Sequence, residues 1–244
     1  MSEGTEQSVK ADYGIDAPGV IRNLAVIGAV LLIAAGVARH FGSPWQYSFF
    51  WTGIALEAES VLMLAYSRWG KLLHRDRMLG LHRWRGDEEV LDVGTGRGLL
   101  LVGAARRLTT GHATGIDIWN AADLSANTRE HTEANLAREG VARMCALMNE
   151  DAVKMSFGDG SFDVVVSNLC LHNIGDREKR RSAVREIARV LKPGGEAILS
   201  DFKKTGEYAR ELRREGLEVT RRWPNLLTTF PPLRIVGARK AVGR

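Results

Sequence analysis

The chain is poor in cysteine, with two thiols, Cys145 and Cys170, in 244 residues. Two thiols cannot build a disulfide framework, and neither has a partner at CxxC spacing, so the sequence reads as a protein of a reducing compartment with no metal site. Low-complexity tracts and fixed-period repeats are missing too, which excludes fibrous and solenoid architectures. No charged residue occurs from Asn23 to Ala38, NLAVIGAVLLIAAGVA. Over the whole chain the composition, 45% hydrophobic and 26% charged, is that of a globular protein. Its length allows a catalytic core of ~150–180 residues with something added.

The added part lies at the front. Asp16 followed by Pro18 predicts a helix start, and the uncharged run, extended back past Arg22 to Ile21 and Val20, predicts ~19 residues, roughly the ~30 Å of a bilayer core. Arg39 to Pro44 breaks it. A second apolar run, Trp45 to Tyr66, is interrupted only by Glu57 and Glu59 and has Trp45, Tyr47 and Trp51 near one end and Tyr66 and Trp69 near the other, like the aromatic belts of membrane helices. Three readings follow: a membrane hairpin or single anchor, helices packed on the core or in a dimer, or a cleaved signal peptide. The acidic residues 1–19 and the second apolar run speak against the last, and the cost of carboxylates in hydrocarbon feeds the second.

Charge is divided unevenly. Residues 1–66 carry a net −3 and the rest +8. Arg68, Lys71, His74, Arg75, Arg77, Arg83 and Arg85 follow the second apolar run directly, which by the positive-inside rule puts this end, and everything after it, in the cytoplasm. The expected division is a flexible tail over 1–19, a hydrophobic helical pair over 20–66, a basic connector helix over 67–88 and a catalytic domain over 89–244.

From Glu89 strands alternate with helices. Strands are expected at 90–93, 113–117, 142–148, 162–167, 196–200, 217–222 and 233–239. Helices are expected at 99–108, 121–139, 176–191 and 205–215, the third ended by Lys192-Pro193-Gly194-Gly195. The pattern predicts an α/β fold with a doubly wound, largely parallel seven-stranded sheet of Rossmann-like type, whose ligands sit beyond the carboxyl ends of the strands.

Chemistry enters at Gly94-Thr95-Gly96-Arg97-Gly98, directly after the first strand. Gly94 and Gly96 allow a tight turn and close backbone approach, and helix-opening amides attract an anion. The spacing is GxGxG behind Asp92 rather than the GxGxxG of dinucleotide folds. Asp117 ends the next strand, placed to accept from ribose hydroxyls.

Leu91–Gly98, Gly115–Ile118, Glu150–Ala152, Ser161–Asn168 and Leu191–Gly195 occur in order, and with them residues 75–240 resemble the class I S-adenosylmethionine-dependent methyltransferases, in particular the ubiquinone/menaquinone-biosynthesis group. The resemblance implies S-adenosyl-L-methionine as methyl donor. It implies that Asp92, Gly94, Thr95, Gly96 and Gly98 surround the methionine part, that Asp117 holds the ribose diol, that Ile118 lies on the adenine, and that Asp151, beside Ala152, takes the adenine amino group. Ser167, Asn168 and Leu169 line the transfer site. Glu150 stands where the family often has Gly.

A sulfonium methyl is already activated, so transfer needs alignment and desolvation more than acid–base machinery. A general base matters where the acceptor is a hydroxyl, phenol or carbon acid, and His172, beside Asn168, is the candidate, with a positioning or packing role as the alternative. His74, His82 and His131 read as surface residues, and both cysteines as small buried filler, which argues against arsenic methylation through thiols. The fourth strand lacks the Asn/Asp-Pro-Pro-aromatic run of adenine and glutamine methylases, and no RNA-binding module is appended, so no specific nucleic-acid partner is expected. Almost no lid fits between the fifth strand and the following helix. The expectation is a membrane-associated methyltransferase whose front helices, connector or bilayer closes the site over a small or lipid acceptor, with Asn225–Phe230 as an apolar wall. The alternatives are a soluble enzyme for a polar metabolite, protein or RNA, its front helices making a homodimer, and a non-catalytic membrane scaffold.

Overall fold

A computed structural model describes residues 10–120, 124–222 and 224–242. Two long helices lead, α1 (Pro18–His40) and α2 (Trp45–Ala65). They lie along one another, with Gly28 against Glu57 and Gly53 against Leu32, so small residues let the backbones approach. Their outer faces stay uncovered: Ile33, Val30, Trp51 and Val61 are all more than half exposed. At 23 and 21 residues they measure about 34 and 31 Å. Both are long and apolar enough to cross a membrane.

Below the hairpin the chain makes one π-helical turn, Tyr66–Gly70, then α3 (Lys71–Leu79), and reaches the sheet without further helix. The connector helix expected over 67–88 is therefore only half helical. Seven strands form one sheet: β1 (Glu89–Val93), β2 (His112–Asp117), β3 (Cys145–Asn149), β4 (Phe162–Asn168), β5 (Leu191–Asp201), β6 (Leu217–Arg221) and β7 (Arg234–Lys240). The order is β3-β2-β1-β4-β5-β7-β6; β1 to β5 run parallel, and β7 lies antiparallel between β5 and β6. Helices α4 (Leu99–Ala105) and α5 (Arg129–Arg138) join α3 on one face, and α6 (Arg177–Val190) and α7 (Thr205–Arg214) cover the other. Strand side chains alternate between the two cores. Val164 and Val166 belong to the core that holds Leu100 and Leu101, while Val165 belongs to the core that holds Val184 and Ile187. Burial on both faces is why these strands read as unbroken apolar runs.

Several local expectations change. Asp16 does not cap α1; Ala17 precedes the helix in a left-handed conformation, and the Asp16 carboxylate accepts instead from Ser67 Oγ at 3.1 Å and Lys71 Nζ at 3.4 Å. Residues 10–17 of the expected flexible tail lie pinned on the domain, while residues 1–9 fall outside the described residues. Asp12 N donates to Asn135 Oδ1 at 3.0 Å, Asn135 Nδ2 donates back to Asp12 O at 2.7 Å, and Ile15 N donates to Ser125 Oγ at 2.7 Å. The helix expected over 121–139, of which 121–123 lie outside the described residues, begins only at Arg129, where Thr128 caps it. β5 starts at Leu191, so Lys192–Gly195 opens a strand as well as ending α6. His74 is not a surface residue: it is buried, with Nε2 2.6 Å from Ser200 Oγ. His82 is largely covered too, with Nδ1 2.8 Å from Glu196 Oε2.

Candidate functional site

Strand order reverses between β1 and β4, and a crevice opens there beyond the carboxyl ends of the strands. The chain fills its far side with the front segment, leaving a cavity of about 820 Å³. At its floor is Asp92. Its Oδ2 accepts from Thr95 Oγ1 at 2.8 Å and Leu101 N at 3.0 Å, while Oδ1 is buried without a partner. Burial, with the Asp117 charge adding to it, pushes this carboxyl up to about 7.

The glycine loop wraps over Asp92. Gly94 has φ +74°, and a Cβ there would overlap the Cys170 side chain, so this loop and the chain leaving β4 touch only because the residue is glycine. Asp117 braces the loop from β2: Oδ2 accepts from Gly96 N at 2.7 Å and Oδ1 from Trp119 N at 2.6 Å. Ile118, 64% exposed, lies on the cavity side with Asp151 and Ala152. Glu150 also borders the cavity, but its carboxylate is held by Ser156. Past β4, Asn168 presents a buried Oδ1 with no partner, and Leu169 takes φ +54°, a strained conformation for a branched side chain.

Most of the sequence-derived donor residues therefore share one cavity, and two do not. Gly98 only starts α4, at φ +83° with Thr132 against it. Ser167 turns its hydroxyl back to donate to Val93 O at 2.8 Å, tying β4 to β1.

His172 lines the cavity opposite the loop. Its Nδ1 is 2.9 Å from Asp201 Oδ1 and 3.1 Å from Oδ2, and Tyr208 Oη donates to Asp201 Oδ2 at 3.0 Å. Phe202 meets the imidazole edge-on, with ring centres 4.8 Å apart. Asp201 and Tyr208 escaped the sequence reading because they sit beyond the recognised motifs. An acidic residue ending the fifth strand was the one available signal.

The remaining wall is the front segment: Asp16, Ala17 and Val20, then Glu59, Met63 and Tyr66. Tyr66 is buried, with its hydroxyl facing the Asn168 side chain. No motif marks it. The π turn turns both Tyr66 and Ser67 inward. Phe230 and Pro231 close the same side, and Gly70 lets their loop approach, since a Cβ there would overlap Thr228 O.

Residues 91–199 match the family model described as a methyltransferase domain. Strand order, loop and motif spacing agree with it. Over residues 91–199 the chain carries a methyltransferase domain, with the fold and motif order of the class I S-adenosylmethionine-dependent type. It is 35% identical over 135 residues to an arsenite methyltransferase of Aquipseudomonas alcaligenes, covering 52% of this chain and 36% of that one. It is 31% identical over 127 residues to a demethylmenaquinone methyltransferase of Mycobacterium tuberculosis, covering 51% of this chain and 50% of that one. The chain thus spans half or less of the length of these two curated relatives. An S-adenosylmethionine-dependent methyltransferase of Methanosarcina mazei shares the fold, with a TM-score of 0.53 at 21% identity over 66% of this chain and 95% of that one. The cofactor of these methyltransferases is S-adenosylmethionine. The cavity floor suits its cationic end, because a buried carboxylate oxygen without a partner lies under a cradle that any Cβ at Gly94 would fill.

Proposed function

We propose that the chain is a membrane-anchored methyltransferase that transfers the methyl group of S-adenosylmethionine to a small lipophilic acceptor reached from the side of the helical hairpin. One observation carries this reading: a single cavity runs from the glycine loop to side chains of both apolar helices. In it Asp92 Oδ1 would take the donor's ammonium, Asp117 its ribose hydroxyls, and Ile118 and Asp151 its adenine. Asn168 and Leu169 would border the methyl. His172, its Nδ1 engaged by Asp201, has Nε2 left to take the proton that an acceptor hydroxyl or carbon acid loses as it gains the methyl.

Anchoring is supported by the uncovered apolar faces of α1 and α2, which a helix of a soluble core would bury. The two carboxylates that counted against hydrocarbon are accommodated, since Glu57 packs on Gly28 in the helix seam and Glu59 borders the cavity. On this reading the catalytic domain is cytoplasmic. Only one thiol, Cys170, lines the cavity, which does not suit an acceptor held by several thiolates such as trivalent arsenic.

The test is to incubate the detergent-purified chain with methyl-labelled donor and fractionated cell extract. Label in the organic-extractable fraction supports the reading. Label in polar metabolites, protein or RNA favours a soluble enzyme whose front helices assemble a dimer. Failure to bind the donor would refute catalysis altogether.

A further inference from the structure

Behind the wall formed by Tyr13, Ser67 and Lys71 lies a second cleft, of about 840 Å³, that the methyl-transfer site does not use. It is bordered by six cations, Lys10, Arg68, Lys71, Arg75, Arg106 and Arg138, of which Lys71 is engaged by Asp16 at 3.4 Å. Its acidic neighbours are already engaged. Asp12 pairs with Arg97 at 3.0 Å, and Glu139 pairs with Arg106 and accepts from Tyr13 Oη at 3.0 Å. Arg75 is held by Asp76 at 2.8 Å. Lys10, Arg68 and Arg138 are exposed and make no hydrogen bond or ion pair among the described residues. Three uncompensated cations around one cleft repel one another and form a site for an anionic group.

Position says which anion. α1 begins at Pro18 and α2 ends at Ala65, so residues 10–15 and 67–75 leave the hairpin at the same end, directly below both helices. Trp69 and Leu73, 68% and 58% exposed, stand on the same turns as Arg68 and Arg75, an indole and an apolar side chain beside cations. That combination is the one found where chains meet the headgroup layer.

We propose that this cleft binds the phosphate of an anionic phospholipid headgroup and so seats the catalytic domain on the leaflet from which its acceptor comes. The inference rests on the membrane-anchored reading above. Tyr13, Ser67 and Lys71 border both spaces, so a headgroup in the cleft lies one side-chain layer from the acceptor end of the cavity.

The full chain in neutral detergent would be titrated with dihexanoyl phosphatidylglycerol, dihexanoyl phosphatidylcholine and glycerol phosphate, followed by calorimetry. The expected result is saturable binding of phosphatidylglycerol, at least about tenfold tighter than the other two and weakened by salt. Removing two cations at the headgroup level, in Arg68→Gln/Arg138→Gln, should weaken it about thirtyfold, with Arg68→Lys/Arg138→Lys restoring most of the affinity. Donor binding should not change in either variant, which shows that both are folded. Equal binding of the two lipids, or an unchanged Arg68→Gln/Arg138→Gln variant, overturns the proposal. Glycerol phosphate binding as tightly as the lipid also overturns it, in favour of a soluble phosphate ester. Carbonate extraction of cell membranes separates the two readings, because loss of the wild-type chain from the pellet refutes the anchor whatever the titration shows.

Discussion

Asp92 makes donor binding pH-dependent in a way that can be worked out beforehand. Without the donor its carboxyl is pushed up to about 7 because burial disfavours the charge, against 3.8 when exposed. An ammonium beside Oδ1 favours the ionised form, so binding must first remove the proton. With an apparent affinity reduced by the protonated fraction, the dissociation constant should rise about tenfold from pH 8 to pH 6, or about 1.4 kcal/mol. Stability runs the other way. The folded carboxyl holds its proton more tightly than the unfolded one, so its contribution is fully present below 3.8 and is lost as pH rises through 7. The rise from 3.8 to about 7 corresponds to roughly 4 kcal/mol in the donor-free protein. Asp92→Asn keeps the shape and removes the ionisation. It should bind the donor at least about tenfold more weakly with a flat pH profile, and its melting temperature relative to wild type should be higher at pH 8 than at pH 5. Calorimetric titration at pH 6, 7 and 8 with parallel thermal melts reads all of this. Wild-type affinity equal at pH 6 and 8, with Asp92→Asn binding as tightly, would refute the reasoning.

Gly94→Ala should abolish donor binding, since its methyl meets Cys170 at a backbone φ of +74°; the double variant with Cys170→Ala should recover fold, measured by melting, but only part of the affinity. Asp201→Asn should lower methyl transfer about a hundredfold or more for a hydroxyl acceptor, with donor affinity unchanged, because His172 loses the partner that fixes its tautomer; single-turnover transfer of label reads it. Gly53→Val should splay the hairpin, since its Cβ lies 3.0 Å from Gly28 O and 2.9 Å from Leu32; faster protease cleavage between α1 and α2 in membranes is the expected sign, with donor affinity unaltered.

How much of this could be read beforehand depended on whether the signal was local. The strand at 162–168 and the helix ending at Val190 were legible because burial on both faces or on one stripe leaves an unbroken or periodic apolar pattern. The glycine loop and Asp117 were legible because close backbone approach can be met only by glycine, at a fixed distance from the strand. Tyr66, Asp201 and the engagement of Asp16 by Lys71 were not. Each depends on a contact between segments far apart in sequence: Asp16 meets Lys71 across 55 residues, and His172 meets Asp201 across 29. His74 misled for the same reason, because it sits among cations in sequence but against Ser200 in space.

The front segment is tied to the catalytic domain by bonds that also reach the donor loop. Arg97, the one long side chain of the glycine loop, is buried and reaches Asp12 at 3.0 Å, and Asn135 ties Arg97 O at 2.9 Å and Asp12 O at 2.7 Å to one amide. Lys71 Nζ, just below α2, donates to Tyr13 O at 2.7 Å and Gly14 O at 2.6 Å. The hairpin cannot tilt against the sheet without breaking bonds that also shape the donor loop. Breaking one buried charge-assisted bond costs about 1.5–3 kcal/mol, and tilting would break several together. On the proposed reading, an acceptor entering along the helices would meet the donor at a fixed angle. For an in-line displacement on an already activated methyl, that alignment is most of what a catalyst must supply. Asp12→Ala should consequently slow transfer to a membrane-borne acceptor more than it weakens donor binding; equal losses in both would mean that the staple serves only the donor loop.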